Sequence, residues 1–344
     1  MSQDKGNFVF RKRAGDKPAR KRRRERAAFF SAGRAKGKTA PEGAAPAPRN
    51  KRKKLSTELK NRRRASWFFL SPSIAGVTLF FVAPFAMVIY YAVTSRAVNG
   101  EFVGLDNFRA LFQNNAFLRA AVNTLILLGS AVPLAVLLSL GLALLLEREI
   151  PGKSFLRSAF LSPLMVPVAS VVLIWQVLFH QHGVVNTFLS GFGIEAVDWF
   201  HSSWSRFVVL LLYLWKNLGY NMILFTAALA AVPREHLEVA ELEGAGRWRT
   251  FWSVKLPYLS STILFVTILS LISAMKIFRE VYLLTGAYPY ETLYLLQHFM
   301  NNTFASMDYQ KLSTAAIVLA AAMSVVIAVL FLVEWRIGKD AKNE

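Results

Sequence analysis

Six long apolar stretches dominate the sequence, at residues 67–93, 120–146, 155–179, 206–231, 258–283 and 312–335. Each reaches the roughly 20 predominantly apolar residues that a helix needs to cross a bilayer core. Lipid offers the backbone no hydrogen-bond partners, so only helices and closed barrels can span it. These runs are continuous and lack the period-two alternation of barrel strands. The expected fold is therefore all-α: a polytopic helical membrane protein with six core transmembrane helices. The breaks carry Gly, Pro, Asn and charge, as loops do. Pro133, Pro163 and Pro167 fall inside or at the start of predicted spans, where bends are expected.

Charge sorts to one end of the chain. Residues 1–64 hold 23 Lys and Arg against 5 Asp and Glu, so they carry +18 of the formal net charge of +20. This stretch has too few large apolar residues to offset the entropy of ordering it, and is read as a basic, mostly disordered cytoplasmic tail before a six-helix membrane domain at 65–344. A polybasic segment directly before a first span holds the N-terminus in the cytoplasm and can touch anionic lipid headgroups. Nucleic-acid binding by the tail is the lesser reading, resting on charge alone. With an even number of spans both termini share a side, so N- and C-termini are expected in the cytoplasm, together with the basic loop EREIPGKSFLR. The opposite loops, around 96–119, 180–205 and 284–311, place Trp199, Trp204, Tyr288, Tyr290 and Tyr294 near the water boundary, although arginines at 96, 109 and 119 weaken the asymmetry. The chain has no Cys, which excludes disulfides, thiolate metal sites and a thiol nucleophile.

Enzyme-like strings fail on context. GKS at 152–154 lacks the earlier glycine of a phosphate loop, where Glu147 stands, and joins two membrane spans. GFGIEA at 191–196 follows no strand. His180 and His182 have no evident third and fourth ligand, so no metal site is assigned. No nucleophile with a base and an orienting partner emerges, and the chain is read as neither an enzyme nor the holder of a cofactor.

Ionisable groups inside spans are costly and face a cavity or a partner. Lys216 stands near mid-depth, accompanied by Asn217, Tyr220 and Asn221. Ser273, Lys276 and Glu280 lie on the next span, beside Arg279, with Lys276 and Glu280 one helical turn apart. A polar translocation path between the two helices and plain interhelical hydrogen bonding, with a local Lys276–Glu280 pair, fit these residues equally.

The loop at 233–257, VPREHLEVAELEGAGRWRTFWSVKLP with its leading valine, has its own pattern. Pro233 suits the first helical position, and Glu235, Glu238 and Glu241 complement a helix dipole. Ala240 and Gly244, four apart, would leave a strip of small residues open to another surface. Gly244 and Gly246 permit a turn, and a second short helix carries Trp248, Phe251 and Trp252 on one face before Pro257 ends it. A docking socket and an ordinary connector on the membrane surface fit these features equally.

The loop resembles the EAA motif of permease subunits of bacterial ABC importers, through Glu238-Val239-Ala240, Gly244 and Val254-Lys255-Leu256-Pro257. It departs at Val239, where the family has Ala, and at Glu243, where sugar permeases have Asp. FVGLDNFRALFQNNAFLRAAVNTL, FLSPLMVPVASVVLIWQVLF with HGVVNTFL, WKNLGYNMILFTAALAAVP and MKIFREVYLLTGAYPYET are similar, in order, to segments of carbohydrate permeases of the maltose and glycerol-3-phosphate type. The usual GGP after LLT is replaced by Gly286-Ala287-Tyr288-Pro289. The resemblance implies a type I ABC importer permease fold in the bacterial cytoplasmic membrane. It implies as partners a second homologous permease subunit, two cytoplasmic ATPase subunits that bind the ATP, and an extracellular or periplasmic solute-binding protein. In that scheme Glu238, Ala240, Gly244, Gly246, Leu256 and Pro257 form the coupling loop to the ATPase. A sugar or oligosaccharide is the implied cargo, with glycerol-3-phosphate or another polyol-type solute as the alternative. A non-transport scaffold with a lipid- or RNA-binding tail is the remote alternative.

Overall fold

The computed structural model describes residues 66–96 and 99–343, with side chains through Arg336. The basic tail at 1–64, with its expected disorder and lipid contact, lies outside the described residues. The chain divides after Gly76 into two units. Of the first, residues 66–76 are a helical stretch with Trp67, Phe68 and Phe69 exposed. The second begins at Val77 and holds the elements that position the functional residues.

Helix forms in all the apolar stretches. In chain order they are α1 (Ser66–Ala92), α2 (Asp106–Phe112), α3 (Asn115–Glu147), α4 (Lys153–Met165), α5 (Val168–Leu178), α6 (Val184–Ser190), α7 (Ser205–Ala230), α8 (Arg234–Leu242), α9 (Arg247–Thr285), α10 (Leu296–Ala305) and α11 (Tyr309–Asn343). Among the described residues the one isolated β-bridge is Thr94 with Phe102. Among the described residues five helices, α1, α3, α7, α9 and α11, are long and apolar enough to cross a membrane, and the α4–α5 pair makes a sixth if taken as one span.

That pair corrects the expectation of six uninterrupted spans. The stretch 155–179 breaks before Pro167, and the two helices meet at 104°. A residue before proline is pushed out of the helical region, and Val166 is extended at φ −81°, ψ 126°. Pro167 then sets the start of α5 with φ −57°, ψ 142°. Pro133 does not end its helix, since α3 runs through it for 33 residues, about 50 Å at the usual rise.

Pro257 likewise fails to end a helix. The Leu256 N–H donates to the Phe251 carbonyl, five residues back, and opens a π turn over Phe251–Lys255. In α1 the Ala83 N–H donates to the Thr78 carbonyl in the same way over Thr78–Val82. A proline comes next in both, Pro84 and Pro257. Its ring would strike the carbonyl four residues back in a regular helix, and the widened turn relieves that clash. The result is one helix, α9, of 39 residues where the sequence suggested a short helix, a stop and a span.

The core lies where α3 meets α7 and α9. Ala131, Ala135 and Leu127 of α3 pack with Val209 and Tyr213 of α7 and Leu271 and Ala274 of α9. A second cluster, nearer the other ends of the same helices, joins Leu140 and Ala143 to Phe225 and Leu229 and to Leu259 and Val266. Small side chains at Ala131, Ala135 and Ala143 let the helices approach closely, which is how helices associate in lipid. Gly219 of α7 does the same against α4, where the Phe160 carbonyl occupies the place a Cβ would take.

The segment between α9 and α10 is held by side chains. Asn123 of α3 donates to the Glu291 and Tyr294 carbonyls, the latter at 3.1 Å. Arg206 of α7 donates to Asn123 Oδ1 at 3.0 Å and to the Thr292 carbonyl at 3.3 Å. Thr124 accepts the Leu296 N–H at 2.8 Å, satisfying a backbone donor at the start of α10.

Candidate functional site

Two places concentrate polar chemistry: the loop between α7 and α9, and the contact between the middle of α7 and the far end of α9.

In the loop, Pro233 is the residue before helix α8, with ψ 132°, and not its first helical residue. Glu235 lies in the first turn, where negative charge suits the dipole. The far end of α8 closes with a Schellman pair: the Ala245 N–H donates to the Ala240 carbonyl at 2.9 Å and the Gly244 N–H to the Glu241 carbonyl at 3.0 Å. That geometry requires a left-handed residue, and Gly244 has φ +75°. Gly246 has φ −66°, which any residue adopts, so the turn rests on Gly244.

The small-residue strip is not open along its length. Ala240 is buried, whereas a Cβ at Gly244 would meet nothing within 4 Å. What faces outward instead is apolar and bulky: Leu242 is 88% exposed and Trp248 74%, with Val239 and Trp252 also exposed. Trp248 contacts both Phe251 and Trp252, with ring centroids 6.1 and 5.7 Å apart, so the expected aromatic face forms. Glu235, Glu238, Glu241 and Glu243 are exposed around these groups. Leu256 and Pro257 are half-buried in α9 just beyond the π turn. The sequence signal for Leu242 was present, since a leucine among four glutamates in a loop destined for water has no core to enter.

Below the loop, Lys255 reaches across to the last residue of α3. Its Nζ lies 2.7 Å from both carboxylate oxygens of Glu147. Arg148, Arg247 and Glu241 join this pair in lining a cleft of about 490 Å³.

Between α7 and α9 the expected Lys276–Glu280 pair does not form. Glu280 is bonded to Lys216 of α7, and Arg279 Nη2 lies 3.6 Å from the same oxygen. The helix tightens at Ile277, whose N–H donates to the Ala274 carbonyl three residues back, and this turn takes positions 276 and 280 out of line. Glu280 is buried and its Oε2 has no hydrogen-bond partner; Lys276 is exposed. Asn221 is also buried and donates to Ser270 Oγ at 2.8 Å, while Tyr213 donates to the Ser270 carbonyl at 2.8 Å. Asn217 returns its amide to the Tyr213 carbonyl of its own helix. Asn221 thus bonds across to α9 while Asn217 bonds only within α7, and Tyr220 is exposed and Ser273 half-buried. Ser270 and Tyr213 were not singled out from the sequence, because an isolated hydroxyl in an apolar run carries no spacing signal.

His298, in α10 and outside the candidate spans, is fully buried beside Phe278, at a centroid distance of 4.8 Å. Its Nδ1 accepts the Leu295 N–H, and burial lowers its pKa to about 4. His180 and His182 have ring centroids 6.1 Å apart. Among the described residues there is no group of three or more His, Cys, Asp or Glu able to hold a metal ion.

Residues 107–339 match the family model of the binding-protein-dependent transport system inner membrane component. The sulfoquinovosyl glycerol transport system permease protein SmoG of Agrobacterium fabrum is 31% identical over 267 residues, covering 76% of this chain and 87% of that protein. The diacetylchitobiose uptake system permease protein NgcF of Streptomyces coelicolor is 33% identical over 315 residues, covering 85% and 88%. The sn-glycerol-3-phosphate transport system permease protein UgpA of Yersinia enterocolitica is 29% identical over 262 residues, covering 74% and 88%. Among solved structures, a chain of a bacterial ABC transporter involved in the import of the acidic polysaccharide alginate superposes with a TM-score of 0.70 at 24% identity, over 82% of this chain and 99% of that one.

Proposed function

The chain belongs to the family of binding-protein-dependent transport system inner membrane components, ABC permeases of the carbohydrate and glycerol-3-phosphate uptake type, and from that premise we propose how its parts divide the work. It is a multi-pass permease of the bacterial inner membrane and not an enzyme, and it works with a binding protein and ATPase subunits. Membership displaces the scaffold reading.

In the proposed arrangement α4 and α5 act together as the third of six spans, both termini are cytoplasmic, and a second permease subunit completes the path. Two ATPases sit beneath, and the tail at 1–64 touches anionic headgroups. The loop at 233–257 is the coupling element. One observation carries this: Leu242 and Trp248, 88% and 74% exposed, stand on a loop that also exposes Glu235, Glu238, Glu241 and Glu243 and whose first helix closes in a Schellman turn. Large exposed apolar groups rimmed by charge mark a protein interface. Gly244 and Gly246 keep that surface low, Glu238 borders it, and Leu256 and Pro257 carry its movement into α9. Ala240 supports it from beneath.

The solute path runs along the face of α7 and α9 that bears Tyr220, Ser273 and Lys276. An exposed ammonium in a spanning helix must face water or a partner, since lipid penalises it. The Lys216–Glu280 pair braces the two helices, together with Asn221, while Asn217 bonds within α7. The proposed cargo is a sugar or oligosaccharide, as the names of NgcF and SmoG indicate for those relatives. Glycerol-3-phosphate is the second reading, favoured by the exposed cations Lys276 and Arg279. Reconstitution of the complete transporter in liposomes tests the whole. ATP-driven uptake of lactose, diacetylchitobiose or glycerol-3-phosphate should vanish with Gly244→Trp while the chain remains inserted. Undiminished uptake by that variant would refute the coupling assignment.

A further inference from the structure

The Lys255–Glu147 contact joins two elements that the coupling loop alone does not connect. Lys255 is the last residue of the π turn in α9, within the last part of the loop. Glu147 is the last residue of α3, which packs along both α7 and α9. The ammonium lies 2.7 Å from both carboxylate oxygens, and the lysine side chain is only 18% exposed against 36% for the glutamate. Both carboxylate oxygens are thereby engaged by one ammonium in a charge-assisted contact.

The placement matters because a π turn is the yielding point of a long helix. Phe251–Lys255 has lost the regular ladder, and the Pro257 ring forbids its repair. A push on Leu242 or Trp248 would spend itself in that turn unless something braces it. Lys255 belongs to the turn and ties it sideways to the end of α3. Regular α-helix runs back from Glu147 for 33 residues without a π turn.

We propose that Lys255 and Glu147 form a positioning lock that makes α3 move with the coupling loop, so that ATPase closure displaces the α3–α7–α9 core as one body. The inference rests on the loop being the coupling element. Neither residue touches solute or ATP in this account. The glutamate end of the pair is open to solvent, which screens it, so a broken lock costs little folding stability and leaves a folded chain with poorer transmission.

This chain has no cysteine, so with partner subunits freed of theirs, paired spin labels attach at Leu145→Cys in α3 and Glu235→Cys in α8, both exposed positions. The protein is the complete transporter in liposomes, measured without nucleotide and trapped with MgATP and vanadate. With the lock intact, the interlabel distance distribution should be equally narrow in both states. Glu147→Gln or Lys255→Gln should broaden it about twofold in the trapped state. Uptake per ATP hydrolysed should fall roughly threefold, measured with whichever of lactose, diacetylchitobiose and glycerol-3-phosphate the unmodified complex carries. The reversed pair, Glu147→Lys with Lys255→Glu, should restore both readouts. A narrow trapped-state distribution and unchanged uptake per ATP in Glu147→Gln would overturn the lock, as would failure of the reversed pair to recover either readout. Copurification of the ATPase with Gly244→Trp separates the two ideas. If the ATPase stays bound there, the coupling reading itself is wrong; if it is lost while Glu147→Gln is silent, only the lock is.

Discussion

Gly219→Ala gives the sharpest test of the packing. An ideal Cβ at this buried position of α7 would lie 1.8 Å from the Phe160 carbonyl oxygen of α4, 2.4 Å from its carbon and 3.1 Å from the Leu161 nitrogen. Ordinary contact distances are roughly 3.5 Å, so the two helices must part by about 1.5 Å. All three obstacles are backbone atoms, and no rotamer change can move them. Overpacking of this kind costs about 3 kcal/mol, and the alanine recovers about 1 kcal/mol of helix propensity. The net loss is about 2 kcal/mol, or a fall of roughly 4–8 °C in Tm. Gly141→Ala in α3 is the matched control, because its Cβ would meet nothing within 4 Å. It gains the propensity alone, about 1 kcal/mol. Thermal unfolding in one detergent at one scan rate compares the two, since membrane proteins unfold irreversibly. A Gly219→Ala chain that unfolds at or above the unmodified temperature would refute the close α4–α7 contact.

The buried ion pair makes a second prediction: Lys216→Met strands Glu280 without a full partner and should cost about 3–5 kcal/mol in thermal unfolding, with most of it recovered by adding Glu280→Gln. The left-handed turn makes a third. Gly244→Val should strain the end of α8 by about 1–2 kcal/mol and, by loosening the backbone there, speed trypsin cleavage at the exposed Arg247 and Arg249, whereas Gly244→Asn should leave cleavage nearly unchanged. His298 makes a fourth. Its folded pKa, about 4, lies below the ordinary value of 6.5, so between these pH values the unfolded chain holds the extra proton. Stability contributed by the buried neutral ring is complete above about pH 6.5 and falls as pH drops toward 4, by on the order of 3 kcal/mol. Tm measured across that window should slope in the native chain and lose most of that slope in His298→Gln.

The helical fold was legible because lipid enforces a simple rule: long apolar runs without alternation become helices, and five of the six stretches did so as single helices. The sixth failed at Pro167, where composition was sufficient for a span but the residue before proline could not stay helical. The loop was partly legible. Its glycine turn and aromatic face follow from spacing and backbone preference, but Ala240 points inward and Leu242 outward, which depends on how α8 leans on α9. Pro257 misled for a related reason, since a π turn allows a helix to pass a proline and leaves no mark in composition. Partner choice was the least legible part. Glu280 had Lys276 one turn away in sequence, yet a tightened turn at Ile277 handed it to Lys216, and Lys255 found Glu147 more than a hundred residues distant.

In the proposed mechanism the loop between α7 and α9 docks the ATPase through its exposed apolar groups. Leu242 is 88% exposed, so Leu242→Asp disturbs no core and leaves folding intact. The direct measurement is copurification of the ATPase subunits with the full permease complex, with and without this substitution. The ATPase should be recovered with the unmodified chain and lost with Leu242→Asp at equal membrane level. Full recovery of the ATPase with Leu242→Asp would contradict the claim.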